Sequence, residues 1–556
     1  MKNSIKQSKA IYFCIGIIII LEVFYFRNIV FSDKLIGDFG DGRFCMLATE
    51  HWFQVLLGNE TLPDLRMFYP VTGTFAYSDM FLGLGIPFCI FRFVGMNMYT
   101  AFKLAAICIH AIGAFSMFYI LHRKLKFNPF ICVLGVIIFS QANMASTATH
   151  PQLYAIYFIP LFAIFVLDYF QNVSSELRKR VKYALLSIGM FGVIFYTGCY
   201  IGYFVLICFA VFVLWFIITS LIFRRDKLKE IFQYIGSHIV EYILYLVFAV
   251  LVLLPYLLMY IPVSGQSGKR SWGEVSGYLP RWFEFFNLDS TNLLWKNIFH
   301  LDVESICGES TTGYPLGTFV IFIVAVVCFI VFCIRNKKRH KDQYYYAIIG
   351  CSVLTCLLLM LKVGENLSLW WLLYNFLPGA GSMRAVMRMN DVLMFPIALL
   401  IAAWVQYIYS NAVIRVAVKR ALYIAIFIFF MLEYTWCGGL YSNWSTGSQL
   451  AFIESVSEPP EDCDVVVIGY RDKDKINQAL VTTYQLNAWQ IAYKFNLQCI
   501  NGYTSYYPDG WEPINRLYES DYENQVHAWI ERYQLNNVYM YQVETDLWIP
   551  MSDDVK

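Results

Sequence analysis

Long apolar runs, separated by clusters of lysine and arginine, constrain this chain more than any other feature. The runs are about 18–25 residues long, enough for a helix to cross the hydrocarbon core of a bilayer. Counting them gives about eleven spans, roughly at 11–31, 99–121, 129–147, 152–170, 183–198, 200–222, 236–259, 315–334, 344–362, 391–409 and 421–438. The first run, IYFCIGIIIILEVFYF, has no small-residue cleavage site after it and reads as an uncleaved first helix rather than a signal peptide. AVILMFWYC residues make up 58% of the chain and charged residues only 15%, so the apolar surface exceeds what a globular core could hide and lipid must cover it.

The connections decide orientation. MKNSIKQSK, HRKLK (122–126), LRKRVK (177–182), RRDKLK (224–229), RNKKRHK (335–341) and RVAVKR (415–420) all fall on one side of this count. By the positive-inside rule that side is the cytoplasm, with the amino terminus on it. The long connections then lie outside, at about 32–98, 260–314 and 363–390, together with everything after about 438. Within the first outer loop, RFCMLATEHWFQVLLG and FLGLGIPFCIFRFVG are apolar but short or broken by Gly and Pro, and both read as helices on the membrane surface. The expected organisation is a helical polytopic membrane domain over 1–438 and a small outer domain over 439–556. In the tail DVVVIGY (464–470) and NVYMYQV (537–543) read as strands and 476–495 and 522–533 as helices, which suggests an α/β fold. The cysteines are scattered without CxxC pairs; Cys463 and Cys499 share the tail and could pair or remain thiols. A formal net charge of +2 offers no electrostatic footprint for nucleic acid.

Polar residues that could carry chemistry concentrate on the outer side. GDFGDGRF places Asp38 and Asp41 three residues apart, with Arg43 after them, just beyond the first span. A carboxylate held there can act as general base on a hydroxyl, or the pair could bind a divalent cation, magnesium or manganese. A solvated Asp/Gly turn is the plain reading of the same string. Tyr77 and Asp79, in FAYSDMF, would contact substrate or cap the next helix. His150 and Gln152 lie in a very short outer turn, as substrate contacts or as ordinary polar turn residues. Arg384 and Arg388 stand four apart before a late span, sharing a face if helical, and two guanidinium groups there suit a phosphate or pyrophosphate. Lipid-headgroup anchoring is the other use for such a pair. Lys269 and Arg270 read as a solvated loop, and the aromatic string INGYTSYYPDGW (500–511) as a turn packed on its own domain or a surface for sugar rings.

GDFGDGRF (37–44), FYPVTGTFAYSDMFLG (68–83), THPQLYAIYFIPL (149–161), PGAGSMRAVMRM (378–389) and INGYTSYYPDGW, in that order on this topology, resemble the GT-C superfamily of integral membrane glycosyltransferases. Within it the chain looks most like bacterial YfhO-type and related membrane proteins. The resemblance covers most of the chain. It implies transfer of a sugar from a polyprenyl-phosphate donor to an envelope acceptor (glycan, teichoic acid, lipid or protein) outside the membrane. The catalytic carboxylate would be Asp38 or Asp41, and Arg384 and Arg388 would hold the donor phosphate. No metal requirement is carried over. A flippase of lipid-linked sugars and a non-catalytic envelope scaffold are the competing classes. A flippase calls for charge through the bilayer, whereas Asp168, Glu241 and Glu433 are few and lie near span ends.

Overall fold

The computed structural model describes residues 2–142, 147, 150–288, 292–295, 313–335, 341–411, 415–435, 445–470 and 480–551. A helix occupies each of the eleven expected positions: α1 (Lys2–Tyr25), then α2 (Asp41–Leu57) and α3 (Leu82–Phe93) in the first outer loop, α4 (Met98–Tyr119), α5 (Pro129–Ala142), α6 (Ile159–Gln171), α7 (Leu177–Thr197), α8 (Cys199–Phe223), α9 (Ile239–Ser267), α10 (Leu316–Arg335), α11 (Lys341–Met360), α12 (Met389–Asn411) and α13 (Val416–Glu433). Among the described residues, eight helices are long and apolar enough to cross a membrane, and the chain is a multi-pass membrane protein. The other three expected spans differ for visible reasons. The described stretch of helix α5 covers 14 residues; α7 spends its first turns on Arg178, Lys179, Arg180 and Lys182; α13 carries Lys419, Arg420 and Glu433.

Ion pairs and aromatic contacts tie the basic clusters together at one end of the bundle. Lys124 pairs with Asp168, Arg180 with Glu241, and Arg224 lies over the Tyr344 ring. The expected cluster at 335–341 falls almost wholly outside the described residues. At the opposite end the outer loops and the tail meet. Helix α3 presents Ile86, Ile90 and Phe93 outward at helical spacing, as an interfacial helix would. Helix α2 does not behave as a surface helix. Residues 42–51 are all buried, because the tail covers the face that α3 and α4 leave open.

The tail folds as expected around a sheet, with helices α14 (Thr446–Ser455), α15 (Val481–Phe495) and α16 (Tyr522–Tyr533). The sheet holds β1 (Val465–Gly469), β2 (Gln498–Cys499), β3 (Val538–Gln542) and β4 (Leu547–Pro550), in the order β2-β1-β3-β4. β1 is parallel to both neighbours, and β3–β4 is an antiparallel pair. Two strands therefore join the two read from the sequence; β2 is too short to show alternation. Cys463 and Cys499 are free thiols, buried on separate contacts. The expected domain boundary at 438/439 lies outside the described residues, and the first outer loop does not stay on its own side of it. Residues 66–69 run along β2: Cys499 N donates to Arg66 O and Tyr69 N to Cys499 O, both at 2.9 Å. Arg66, itself buried, pairs with Glu60 and donates to Ala492 O at 3.0 Å and Asn496 Oδ1 at 2.6 Å. Loop and tail thus form one body over this end of the bundle.

Candidate functional site

The GDFGDG string is a doubled-back turn that opens α2. Gly37 has φ +85°, and a Cβ on Gly42 would lie 2.5 Å from Ile36 O, so the backbone crosses itself where no side chain fits. Asp38 Oδ1 accepts the Gly42 amide at 3.2 Å and so caps the helix start. Asp41, in the first turn, is held from two sides. Tyr503 of the tail donates its hydroxyl to Oδ1 at 2.8 Å, and His150 Nδ1 stands 3.2 Å from Oδ2. Asp38 keeps an edge open to solvent.

The two carboxylates are pushed in opposite directions. Burial alone would raise Asp41, but His150, Tyr503 and the charge of Arg388 outweigh it and hold its pKa below the ordinary value. For Asp38, the surrounding protein and then the neighbouring Asp41 charge raise the pKa, despite its solvent edge and the Gly42 amide. Two acids three residues apart with divergent affinities for a proton are the usual setting for divided roles.

Arg384 and Arg388 do not share a helix as expected. Val386–Arg388 is a short 3₁₀ turn ahead of α12, and Arg384 precedes it. Both still converge on Tyr200 at the start of α8: the Arg388 guanidinium lies 5.7 Å from its ring centre, and the Arg384 amide donates to its hydroxyl at 3.3 Å. Arg388 is near enough to Asp41 and Asp79 for its charge to favour the ionised form of each. Arg270, expected in a solvated loop, belongs to the same cluster. Its Nη1 donates to Glu274 Oε1 at 2.6 Å, and Arg384 Nη1 approaches that oxygen at 3.6 Å. The Arg270 guanidinium faces the Tyr506 ring at 5.2 Å, and its buried Nε has no hydrogen-bond partner. Two guanidinium groups thus flank the Glu274 carboxylate, and a third, that of Arg388, lies towards the acidic turn.

The other expected site residues divide. Asp79 accepts the Cys199 amide at 2.7 Å, so it caps α8 beneath the cleft, and burial raises its pKa. Gln152 lies beside the acidic turn's helix, its Oε1 3.5 Å from Cys45 Sγ. Arg43 is a correction. Two residues past Asp41 on a helix, it takes a different face, and its guanidinium lies 4.4 Å from the Phe39 ring centre. It is 0% exposed in the seam with the tail, donating through Nη2 to Asn487 Oδ1 at 2.6 Å and Gln490 Oε1 at 2.9 Å. Tyr77 is a second correction: it is buried, with its ring edge-on to Phe68 on the tail-facing side. Its 3₁₀ turn, Thr74–Tyr77, is buried throughout and turns the ring inward. In the aromatic tail string, Trp511 and Tyr507 stack on each other within the tail, whereas Tyr503 and Tyr506 reach the site. Local sequence carries no signal for those two contacts, which join residues hundreds of positions apart. Among the described residues, no group of three or more His, Cys, Asp or Glu side chains is arranged to hold a metal ion.

No family model matches the chain, and no curated protein matches it. Among solved structures, it is similar to ArnT from Cupriavidus metallidurans in the apo state, with 10% sequence identity and a TM-score of 0.38, over 96% of this chain and 93% of that one.

Proposed function

We propose that this protein is a membrane glycosyltransferase of GT-C type, moving a sugar from a polyprenyl-phosphate donor to a hydroxyl of a cell-envelope acceptor on the outer face. The observation that carries the reading is the pairing of an acidic turn with a guanidinium cluster, near enough for Arg388 to act on Asp41. A base and an anion cradle side by side are what displacement of a lipid phosphate requires. On this reading the basic end of the bundle faces the cytoplasm and the cleft faces outward.

Asp38 is the better base of the two. Both Asp41 oxygens have close partners, whereas Asp38 has a solvent-facing edge and a raised proton affinity. Asp38 takes the proton of the acceptor hydroxyl as that oxygen bonds to the anomeric carbon. The bond from that carbon to the phosphate oxygen breaks, and its electron pair leaves on the lipid phosphate. Arg384 and Arg388 meet the growing charge on the leaving oxygen, with His150 and Gln152 lining the acceptor side. The lipid chain lies against the apolar flanks of the bundle.

Purified protein in proteoliposomes, given radiolabelled polyprenyl-phosphate sugars and a cell-envelope acceptor extract, tests this. Labelled product with release of polyprenyl phosphate is the expected result, abolished by Asp38→Asn. Movement of the donor across the bilayer without product would replace the reading with a flippase. Neither outcome would leave a scaffold.

A further inference from the structure

The tail reaches the candidate site through one short loop. That loop is fixed at its base: Asn501 Oδ1 accepts the Ile468 amide at 2.7 Å, Asn501 Nδ2 donates to Gln485 Oε1 at 2.7 Å, and Trp511 Nε1 donates to Ile500 O at 2.8 Å. From this base the chain extends Tyr503 to the acidic turn and Tyr506 to Arg270, while the Thr504 hydroxyl bonds to Tyr506 O and bends the loop between them. The acidic turn is shaped to receive it. A Cβ on Gly40 would press on Thr482 Cγ2 at 3.1 Å and touch the Tyr503 hydroxyl at 3.5 Å, so the tail packs directly on the turn at this point. The Tyr503 ring rests edge-on against Phe44 of the same helix, 6.0 Å between centres.

We propose that Tyr503 is a positioning residue of the active site: its hydroxyl fixes the Asp41 carboxylate against His150, and the outer tail is thereby a structural part of the catalytic centre rather than a separate binding module. The inference rests on the transferase reading for its purpose, though its test does not. With Asp41 immobilised, its negative charge stands at a set place beside Asp38. A freely rotating Asp41 would compete with Asp38 for the acceptor hydroxyl. The rigid anchoring of 500–511 makes the tail able to hold an orientation, which a mobile loop could not.

The test reads the carboxylates directly. Full-length protein in detergent micelles is treated with a water-soluble carbodiimide and glycinamide across a range running from strongly to mildly acidic pH, and amidation of Asp41 is followed by peptide mass spectrometry. Only the protonated carboxyl reacts, so the pH midpoint of labelling follows its titration. Tyr503→Phe keeps the ring on Phe44 and deletes one hydrogen-bond donor. It should move the Asp41 midpoint to higher pH, because that donor favours the ionised form. Tyr507→Phe, in the same loop but stacked on Trp511, should leave the midpoint where it is. An unchanged midpoint in Tyr503→Phe overturns the inference, as does an equal shift in Tyr507→Phe, which would report loosening of the loop. Neither result touches the transferase reading, which stands or falls on Asp38→Asn and labelled product.

Discussion

Two buried arginines pin the first outer loop to the tail, and removing them should have unlike consequences. Arg43 sits in the seam with one nitrogen bonded to two neutral amides, with Nε and Nη1 lacking a hydrogen-bond partner, and with its guanidinium over the Phe39 ring at 4.4 Å. Two charge-assisted bonds contribute roughly 1.5–3 kcal/mol each. Against them, burial pulls the Arg43 pKa from 12.5 down to about 10, a displacement worth roughly 3 kcal/mol against the charged form. The same two oxygens also accept from Gln449 Nε2, at 3.0 and 2.8 Å, so they keep a donor when the guanidinium goes. Gain and cost nearly cancel, and Arg43→Met should change stability by no more than about 1–2 kcal/mol in either direction. Arg66 is the opposite case. It pairs with Glu60, both about 3% exposed, and serves the Ala492 and Leu497 carbonyls and the Asn496 side chain. Arg66→Met strands a buried carboxylate with only His51 beside it, a loss of about 3–5 kcal/mol.

Thermal unfolding in detergent, followed by tryptophan fluorescence, separates the two, since Trp489, Trp511 and Trp529 are all buried in the tail. At roughly 2 °C per kcal/mol, the low end of the scale and the one suited to a large body, Arg66→Met should lower the midpoint by about 6–10 °C and Arg43→Met by no more than about 4 °C. If Arg43→Met fell as far as Arg66→Met, the balance drawn for Arg43 would be wrong, and its two open donors would have to be serving a partner such as an ordered water.

Two further outcomes follow from the charges at the cleft. Transfer should fail on the acid side as Asp38 takes up its proton, at a pH above its ordinary value; Asp41→Asn removes the neighbouring like charge, so the acid limb of kcat should move to lower pH. Glu274 pairs with Arg270 and stands beside Arg384, so Glu274→Gln should tighten binding of a short-chain prenyl phosphate, measured by titration calorimetry, by about 1 kcal/mol or roughly fivefold, the scale of a partly exposed ion pair; Arg384→Gln should weaken it.

What could be read from the sequence follows the range of the forces involved. The helices at all eleven apolar runs and the strands at 465–469 and 538–542 depend on runs and alternations contained in single segments, and those were legible. The convergence of 37–42, 150 and 384–388 was reachable too, because alternating charge put them on one face of the membrane. Arg43 was misplaced because adjacency in sequence is not adjacency in a helix: a shift of two positions turns the side chain to another face. Tyr77 failed similarly, in a turn whose every residue faces inward.

Arg270, Glu274, Tyr503 and Tyr506 were beyond such reasoning for a different cause. Their neighbours are set by how three loops and the tail close over the bundle, and no local pattern encodes that closure. Its one trace is Gly40. Between two aspartates it reads as an ordinary turn glycine, yet its φ of −89° is open to any residue, and a Cβ there would press on Thr482 Cγ2 at 3.1 Å, so the absent side chain favours the close approach of the tail. A glycine whose backbone angle does not require it points to a close approach from elsewhere in the chain. Here that approach brings the tail against the same turn that carries both carboxylates, so contact between tail and turn constrains the site as directly as the residues that face its opening.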